Sequence, residues 1–233
     1  MGFKTLVSVF GIAAALFFAP GSARAHLPYF VGEGIAVEVA QPEISKAYYG
    51  WLSGKPVVYS ISSASPFLLY VNLLSPQVEG GKIDYSADIY RDGELFAKVD
   101  SADFVWTVTY EPFANDYYAK GPEYEADVPP GNYTVEISNS GDSGNYVLAV
   151  GKTEDLSIGE FLRTVTVLPR VKEQFFGKNF WEAFNNFIGL ALLILLAVAA
   201  ILSYVAFKII KRWRLKNRLD KEYGKYQSDR SQG

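Results

Sequence analysis

The chain has 233 residues, a formal net charge of −3 and no cysteine. The lack of cysteine excludes disulfides, thiolate metal sites and thiol nucleophiles, and it favours a prokaryotic envelope over a eukaryotic secretory lumen. Charge is unevenly placed, because residues 26–186 carry 22 acidic and 11 basic side chains and residues 208–233 carry 3 acidic and 9 basic ones. The acidic N-terminal part is poorly suited to nucleic acid, so no nucleic-acid partner is expected.

The first residues have the features of a signal peptide. Lys4 supplies a positive start, residues 5–18 are apolar, and Ala23-Arg24-Ala25 forms the small-x-small pattern that signal peptidase cleaves. The apolar segment is short for a membrane span, so the sequence predicts that residues 1–25 are removed and that the mature chain begins at His26. An uncleaved anchor, which would place both ends of the chain inside, is the alternative.

Residues 26–155 are predicted to form an all-β domain. Short segments of alternating apolar and polar residues are separated by turn residues, and Asp92-Gly93 is a hairpin signal. This spacing predicts a jelly-roll-like antiparallel β-sandwich. Residues 111–127 are predicted to be a loop long enough to carry function. The predicted strands are 35–39, 56–62, 67–74, 86–91, 94–99, 104–110, 132–138 and 145–150.

Three segments of this domain carry a family resemblance. They are AYYGWLSGKPVVYSIS at 47–62, SADIYRDGELF at 86–96, and VPPGNYTVEI at 128–137 followed by GNYVLAV at 144–150. Together they resemble the bacterial pre-peptidase C-terminal domain. The resemblance implies a jelly-roll-like accessory module without catalytic residues. This chain departs from the family by lacking a peptidase and by adding an apolar C-terminal segment, and no functional residue is carried over.

Candidate binding residues are of two kinds. Tyr117, Tyr118 and Tyr124 lie around the predicted loop and are candidates for an aromatic face that binds a glycan or a peptide. His26, as a mature N-terminal residue, would offer an amine and an imidazole to copper, although the chain has no second histidine. Calcium at Asp92 and a neighbouring loop is a further metal hypothesis. The main expectation is that the protein has no cofactor.

One segment has the local signature of a serine protease, Gly141-Asp142-Ser143-Gly144. A nucleophilic serine needs a base within hydrogen-bond reach, and the only histidine in the chain is His26. We therefore interpret the segment as a polar turn, and we predict that the protein is not an enzyme.

Residues 156–186 are predicted to connect the sandwich to the membrane. Their apolar residues alternate with basic ones, which favours short amphipathic helical pieces at the outer interface of the membrane, divided by Pro169. Trp181 would belong to the aromatic belt on that side.

Residues 187–207 form a segment of 21 residues without a charge. At about 1.5 Å per residue such a helix spans roughly 31 Å, the thickness of the hydrocarbon core of a bilayer. The tail, 208–233, is basic, and this predicts a cytoplasmic C-terminus. The sequence thus predicts a single-pass protein of a prokaryotic plasma membrane with its N-terminal domain outside. The flanking residues after the span are Lys208, Lys211, Arg212, Trp213 and Arg214.

Three functions remain open at this point. The first is a non-enzymatic membrane protein whose sandwich is a binding or assembly module for a protein or glycan, with the lipid bilayer as a second partner. The second is a copper-handling envelope protein that uses His26. The third is a cargo adaptor similar in layout to the p24 family, although the chain lacks that family's cysteine pair, coiled coil and terminal lysine signal.

Overall fold

The computed structural model describes residues 26–32, 36–102, 104–111, 114–155 and 157–231. The predicted signal peptide, residues 1–25, lies outside the described residues. Within the described part, one compact unit extends to Ile188 and a second unit begins at Gly189.

The first unit is a β-sandwich of two sheets, as the sequence predicts. Its described strands are β1 Leu27–Phe30, β2 Val37–Glu38, β3 Lys46–Ser53, β4 Val57–Ser63, β5 Phe67–Pro76, β6 Ser86–Arg91, β7 Glu94–Val99, β8 Thr107–Glu111, β9 Asp116–Val128, β10 Gly131–Ser138 and β11 Ser143–Val150. One sheet has six strands in the order β1-β3-β11-β5-β9-β8, and the other has five in the order β2-β4-β10-β6-β7.

Both sheets are predominantly antiparallel, as predicted, and each also contains one parallel pair at an edge. The edge strands β1 and β2 pair in parallel with β3 and β4, whereas the other pairings are antiparallel. β1 and β2 are the first two described strands of the domain, and each lies at the edge of its sheet. β1 was absent from the predicted strands, and β3 was expected only within the segment 47–62 that carries the family resemblance, because neither sequence shows clean alternation.

The core lies between the sheets and contains large aromatic side chains. Tyr59, Tyr133 and Tyr146 are fully buried, and the hydroxyl oxygens of Tyr59 and Tyr146 are 2.9 Å apart. A β-carbon at Gly50 would lie 2.5 Å from the Tyr146 hydroxyl, so glycine makes room for that ring. Alternate residues of β10 face this core, including Val135, as expected for a half-buried strand.

The prediction that residues 111–127 form a long loop is wrong, because Asp116–Val128 is the 13-residue strand β9. Gly121 and Pro122 lie in the middle of this strand, and both residue types usually interrupt strands. A bulge between Asn72 and Leu74 of the neighbouring β5 accommodates them. The Asn72 side-chain amide donates hydrogen bonds to the carbonyls of Gly121 and Pro122 at 3.0 and 3.1 Å. The interruption of the ladder is therefore compensated by a side chain.

The connector is also different from the prediction. Ile158–Phe176 is a single helix, α1, with an N-cap at Ser157 and a left-handed C-cap at Gly177. Pro169 lies inside the helix, where it removes one backbone hydrogen bond without ending it. α1 packs on the outer face of the six-stranded sheet and forms a third layer, where Leu168 and Phe175 are buried, whereas Ile158 and Leu162 near its start stay exposed. A 3₁₀ helix at Phe180–Phe184 follows.

The described part of the second unit lies entirely within the helix α2, Phe187–Ser231. It begins at the residue where the apolar segment begins, but it continues far beyond Phe207. Many tail residues are good helix formers, such as leucine, lysine and arginine, which accounts for the extension. By length and composition α2 is suited to cross a membrane.

Candidate functional site

A buried ion pair joins α1 to β9. Lys172 is fully buried, and its ammonium group contacts the carboxylate of Asp116 and donates to the Asn115 carbonyl at 3.0 Å. Lys178 donates to the other carboxylate oxygen of Asp116 at 2.5 Å. Burial lowers the pKa of Lys172, whereas the hydrogen bond to Asp116 raises the pKa of Lys178. We call this set of residues the α1 clamp.

Aromatic side chains surround the α1 clamp. The ring of Phe175 lies 5.1 Å from that of Tyr49 and 4.5 Å from that of Trp51. Phe176 packs edge-on against Tyr118 at 5.2 Å, and the hydroxyl oxygens of Tyr118 and Tyr49 are 2.7 Å apart. Tyr118 is 2% exposed, so the prediction that it lies on an open ligand face is wrong. It faces α1, and burial raises its pKa well above the usual range.

The N-terminal strand is held by the same helix. Arg163 of α1 donates to the Pro28 carbonyl at 2.7 Å, and its guanidinium lies 3.4 Å from the centre of the Tyr29 ring. The Nδ1 atom of His26 lies 2.7 Å from the Ser45 hydroxyl oxygen. The strand β1 is thus paired with β3 and held by α1 through Arg163.

The metal hypotheses stay predictions. Within the described ranges, there is no group of three or more histidine, aspartate or glutamate side chains that could hold a metal ion. Asp92 lies in the β6–β7 hairpin at φ 48°, where its carboxylate accepts the Asn132 backbone N–H at 3.3 Å. Neither this position nor His26 supplies an argument for a metal site.

Ser143 lies far from the histidine. Lys82 donates to the Ser143 hydroxyl at 2.6 Å. Ser143 pairs with Ser53 at one end of β3, whereas His26 contacts Ser45, just before the other end. At about 3.3 Å per residue these ends are roughly 26 Å apart. The imidazole that a serine-protease mechanism needs is therefore absent from this turn.

The strand β8 carries an exposed apolar surface. β8 is the last strand of the six-stranded sheet and pairs only with β9. The opposite sheet has one strand fewer, so this edge is left uncovered. Val105 is 80% exposed, Val108 63% and Tyr117 56%. We call the surface formed by Phe104, Val105, Val108, Tyr110 and Tyr117 the β8 edge.

Of the three tyrosines predicted to bind a ligand, only Tyr117 lies on this edge. Its ring is 5.1 Å from that of Tyr110, with an interplanar angle of 51°. Tyr124 is half-buried and packs against Phe96 and the core. Phe104, Val105 and Val108 were not singled out from the sequence, because a strand pattern does not show that the strand lies at the edge of its sheet.

One end of the β8 edge contacts the segment that leads into α2. Asn115, in the turn between β8 and β9, donates from its side-chain amide to the Asn185 carbonyl at 3.1 Å. The Tyr110 hydroxyl donates to the other side-chain atom of Asn115, Oδ1, at 2.6 Å. The predicted belt residue Trp181 is 68% exposed, and its ring lies tilted against that of Phe180 with ring centres 4.2 Å apart.

The predicted flanking residues of the span lie along α2. The side chains of this part of the helix are exposed, and the Lys208 ammonium lies 4.9 Å from the centre of the Tyr204 ring. The other predicted flanking residues after the span, all exposed on this helix, are Lys211, Arg212, Trp213 and Arg214.

Comparisons with known proteins find similarity among solved structures only. No protein-family model matches the chain, and no curated protein matches it. Among solved structures, the chain is similar to the pre-peptidase C-terminal domain of a collagenase from Bacillus anthracis, with 14% identity, a TM-score of 0.30, and coverage of 55% of this chain and 96% of that domain. The collagenase domain is a pre-peptidase C-terminal domain, which is the family that the sequence of this chain resembles.

Two further similar structures come from carbohydrate-active proteins. The CBM36-1 domain of a multidomain xylanase from the hindgut metagenome of Trinervitermes trinervoides is 16% identical, with a TM-score of 0.22 and coverage of 46% of this chain and 77% of that one. A β-glucosidase from Paenibacillus barengoltzii is 8% identical, with a TM-score of 0.26 and coverage of 54% and 13%. The β-sandwich assignment rests on the strands and sheets of this chain.

Proposed function

We propose that the protein is a non-enzymatic, single-pass protein of a prokaryotic plasma membrane that holds a β-sandwich binding module on the outer side. The observation that carries the membrane part is the exposure of the apolar side chains of α2. Leu193 and Leu196 are each 66% exposed. Burying a leucine side chain stabilises by about 1.5–3 kcal/mol, so a surface of this kind over a bilayer-length segment favours lipid as its surroundings.

Charge supports the orientation. The tail, residues 208–233, has a net charge of +6, and residues 26–186 have a net charge of −11. Basic residues next to a span are retained on the cytoplasmic side, so the tail belongs inside and the sandwich outside.

A matched pair of deletions tests this orientation. We expect the protein to need detergent for extraction and protease added to intact cells, or to spheroplasts, to digest the sandwich while sparing the tail. Deletion of residues 208–218 removes six basic side chains and should reduce the displayed fraction. Deletion of residues 221–231, which has the same length but removes only three, should have little effect.

Two outcomes would contradict the membrane assignment. One is release of the intact protein into buffer without detergent. The other is exposure, on the outside of cells, of a tag fused after Gly233.

The β8 edge supports a protein partner. An edge strand with one neighbour offers unpaired backbone groups to an added strand, and exposed valines suit the side chains of such a strand. A glycan would favour a flat aromatic platform, whereas the rings of Tyr110 and Tyr117 are tilted by 51°. Protein binding along β8 is therefore the preferred role of the sandwich.

Site-specific photocrosslinking tests this role. A photoreactive amino acid at Val105 or Val108 should capture one discrete partner in intact cells, because these side chains lie on the β8 edge. The same group at Ser60, which is exposed on the other sheet, should not. Val108→Asp should abolish the adduct formed from position 105, since a charge on this surface is costly to bury. Equal adducts from all three positions, or an adduct that survives Val108→Asp, would contradict the proposal.

A further inference from the structure

We propose that the end of the β8–β9 hairpin, with Tyr110 and Tyr117, docks into the headgroup region of the bilayer that α2 enters. The inference rests on the proposed membrane anchoring and adds a second, peripheral contact between the sandwich and the lipid. The occupant of this end of the β8 edge is thus the membrane–water interface, while Val105 and Val108 remain available to a protein.

Position is the first argument. The hydrogen bond from Asn115 to the Asn185 carbonyl joins the hairpin turn to a residue only three positions before Ile188. Ile188 is the first residue of the helical segment suited to cross a membrane. At about 1.5 Å per residue in a helix and 3.3 Å in an extended chain, three residues span roughly 5–10 Å. This distance is comparable with the depth of the interfacial region itself.

Side-chain chemistry is the second argument. Tyr110, Tyr117 and Trp181 are exposed in the first unit, and each combines an apolar ring with a polar group. Tyrosine and tryptophan are enriched at headgroup level because one part of the side chain can be buried while the other stays hydrated. The Tyr110 hydroxyl already has a polar partner in Asn115, at 2.6 Å. The apolar part of its ring is what lipid would cover.

Rigidity is the third argument. Asp116, the first residue of β9, is held by Lys172 from α1 and by Lys178 just after it. The hairpin end is therefore fixed to the same segment that leads into α2. A loop attached only at its own ends would move independently, whereas this hairpin end moves together with the segment that precedes α2.

The absence of cysteine from the chain allows a direct test by spin labelling. Single substitutions Tyr117→Cys, Trp181→Cys, Ser60→Cys and Leu195→Cys are made in the full-length protein, and each is labelled with a nitroxide. The protein is reconstituted, one copy per nanodisc, in phosphatidylethanolamine and phosphatidylglycerol. Collision of the label with oxygen and with a water-soluble nickel chelate then reports its depth.

The accessibility of the four labels to oxygen and nickel should follow their depth in the bilayer. The label at 195 should be reached by oxygen and shielded from nickel, and the label at 60 should behave as if in water. Labels at 117 and 181 should lie within about 5–10 Å of the headgroup–acyl boundary. If 195 is in lipid but 117 matches 60, the inference is overturned and the anchoring stands. If 195 also matches 60, the proposed function fails as well. A label at 117 shielded from both reagents would indicate protein contact and overturn the inference.

The label at 117 also needs a check on folding. Tyr117 is exposed, so its loss should leave the near-ultraviolet circular dichroism of the buried aromatic residues unchanged. If that signal changes, a label at Tyr110, which lies at the same end of the hairpin, replaces it. Water-like labels at both 110 and 181 would then overturn the inference.

Discussion

Replacement of Asp116 by alanine is expected to cost about 3–5 kcal/mol of unfolding free energy, the usual effect of removing one partner of a buried ion pair. The reason is the Lys172 ammonium group, which is fully buried and would keep the Asn115 carbonyl at 3.0 Å but lose its carboxylate. Urea unfolding of the full-length protein in mild detergent, followed by near-ultraviolet circular dichroism, measures the loss.

The second cation of the clamp supplies the matched control. The side chain of Lys178 is 39% exposed, so Lys178→Ala should cost no more than about 1 kcal/mol although it contacts the same carboxylate. The double variant Asp116→Leu with Lys172→Met should recover most of the stability, because it removes both buried charges and keeps apolar volume. An Asp116→Ala variant that is no less stable than Lys178→Ala would show that the α1 clamp does not hold the helix.

Unfolding at alkaline pH should be steep and should coincide with ionisation of buried tyrosines. Burial raises the pKa of Tyr48, Tyr49, Tyr59, Tyr85, Tyr118 and Tyr146. Above the unfolded pKa of about 10, the unfolded chain loses protons that the folded protein keeps. Stability is therefore unaffected below that pH and falls above it, by about 1.4 kcal/mol per pH unit for each such tyrosine.

Six tyrosines together give a slope of up to about 8 kcal/mol per pH unit, which would exhaust a stability of about 5–15 kcal/mol within one to two units. Tyrosinate absorbance and near-ultraviolet circular dichroism should change in the same transition. Tyr59→Phe should make the slope shallower by about one sixth, whereas Tyr117→Phe, at an exposed position, serves as the control. Gradual ionisation of all tyrosines with an intact dichroism signal would refute the expectation.

Local sequence pattern predicted those parts of the fold that local physics determines. Alternation located most strands of the sandwich, and an uncharged segment located the start of α2 at Phe187. β9 was missed because Gly121 and Pro122 lie within it, and the compensation comes from Asn72 on another strand. α1 was divided at Pro169 for a similar reason. A local rule was overridden in each case by a contact distant in sequence.

The surfaces were harder to predict than the strands. An amphipathic pattern shows that a helix has an apolar side, but it does not reveal what covers that side. The pattern of α1 fitted a membrane interface, yet its apolar residues Leu168 and Phe175 are buried against the six-stranded sheet. Tyr117 and Tyr118 are adjacent, and only the position of α1 decides that the second is buried.

The strand β1 and the helix α1 of the sandwich unit are partners, as the Arg163 bond to Pro28 and the 5.5 Å contact between the Phe30 and Phe175 rings demonstrate. Contacts so far apart in sequence form late, and they slow folding. If the domain is exported as proposed, β1 would leave the cytoplasm before α1 and would lack this partner until most of the domain had followed. An extracytoplasmic chaperone would then bind an incomplete sandwich whose aromatic side chains, such as Phe30, are still exposed. A protease that removed either β1 or α1 would expose the same aromatic side chains again.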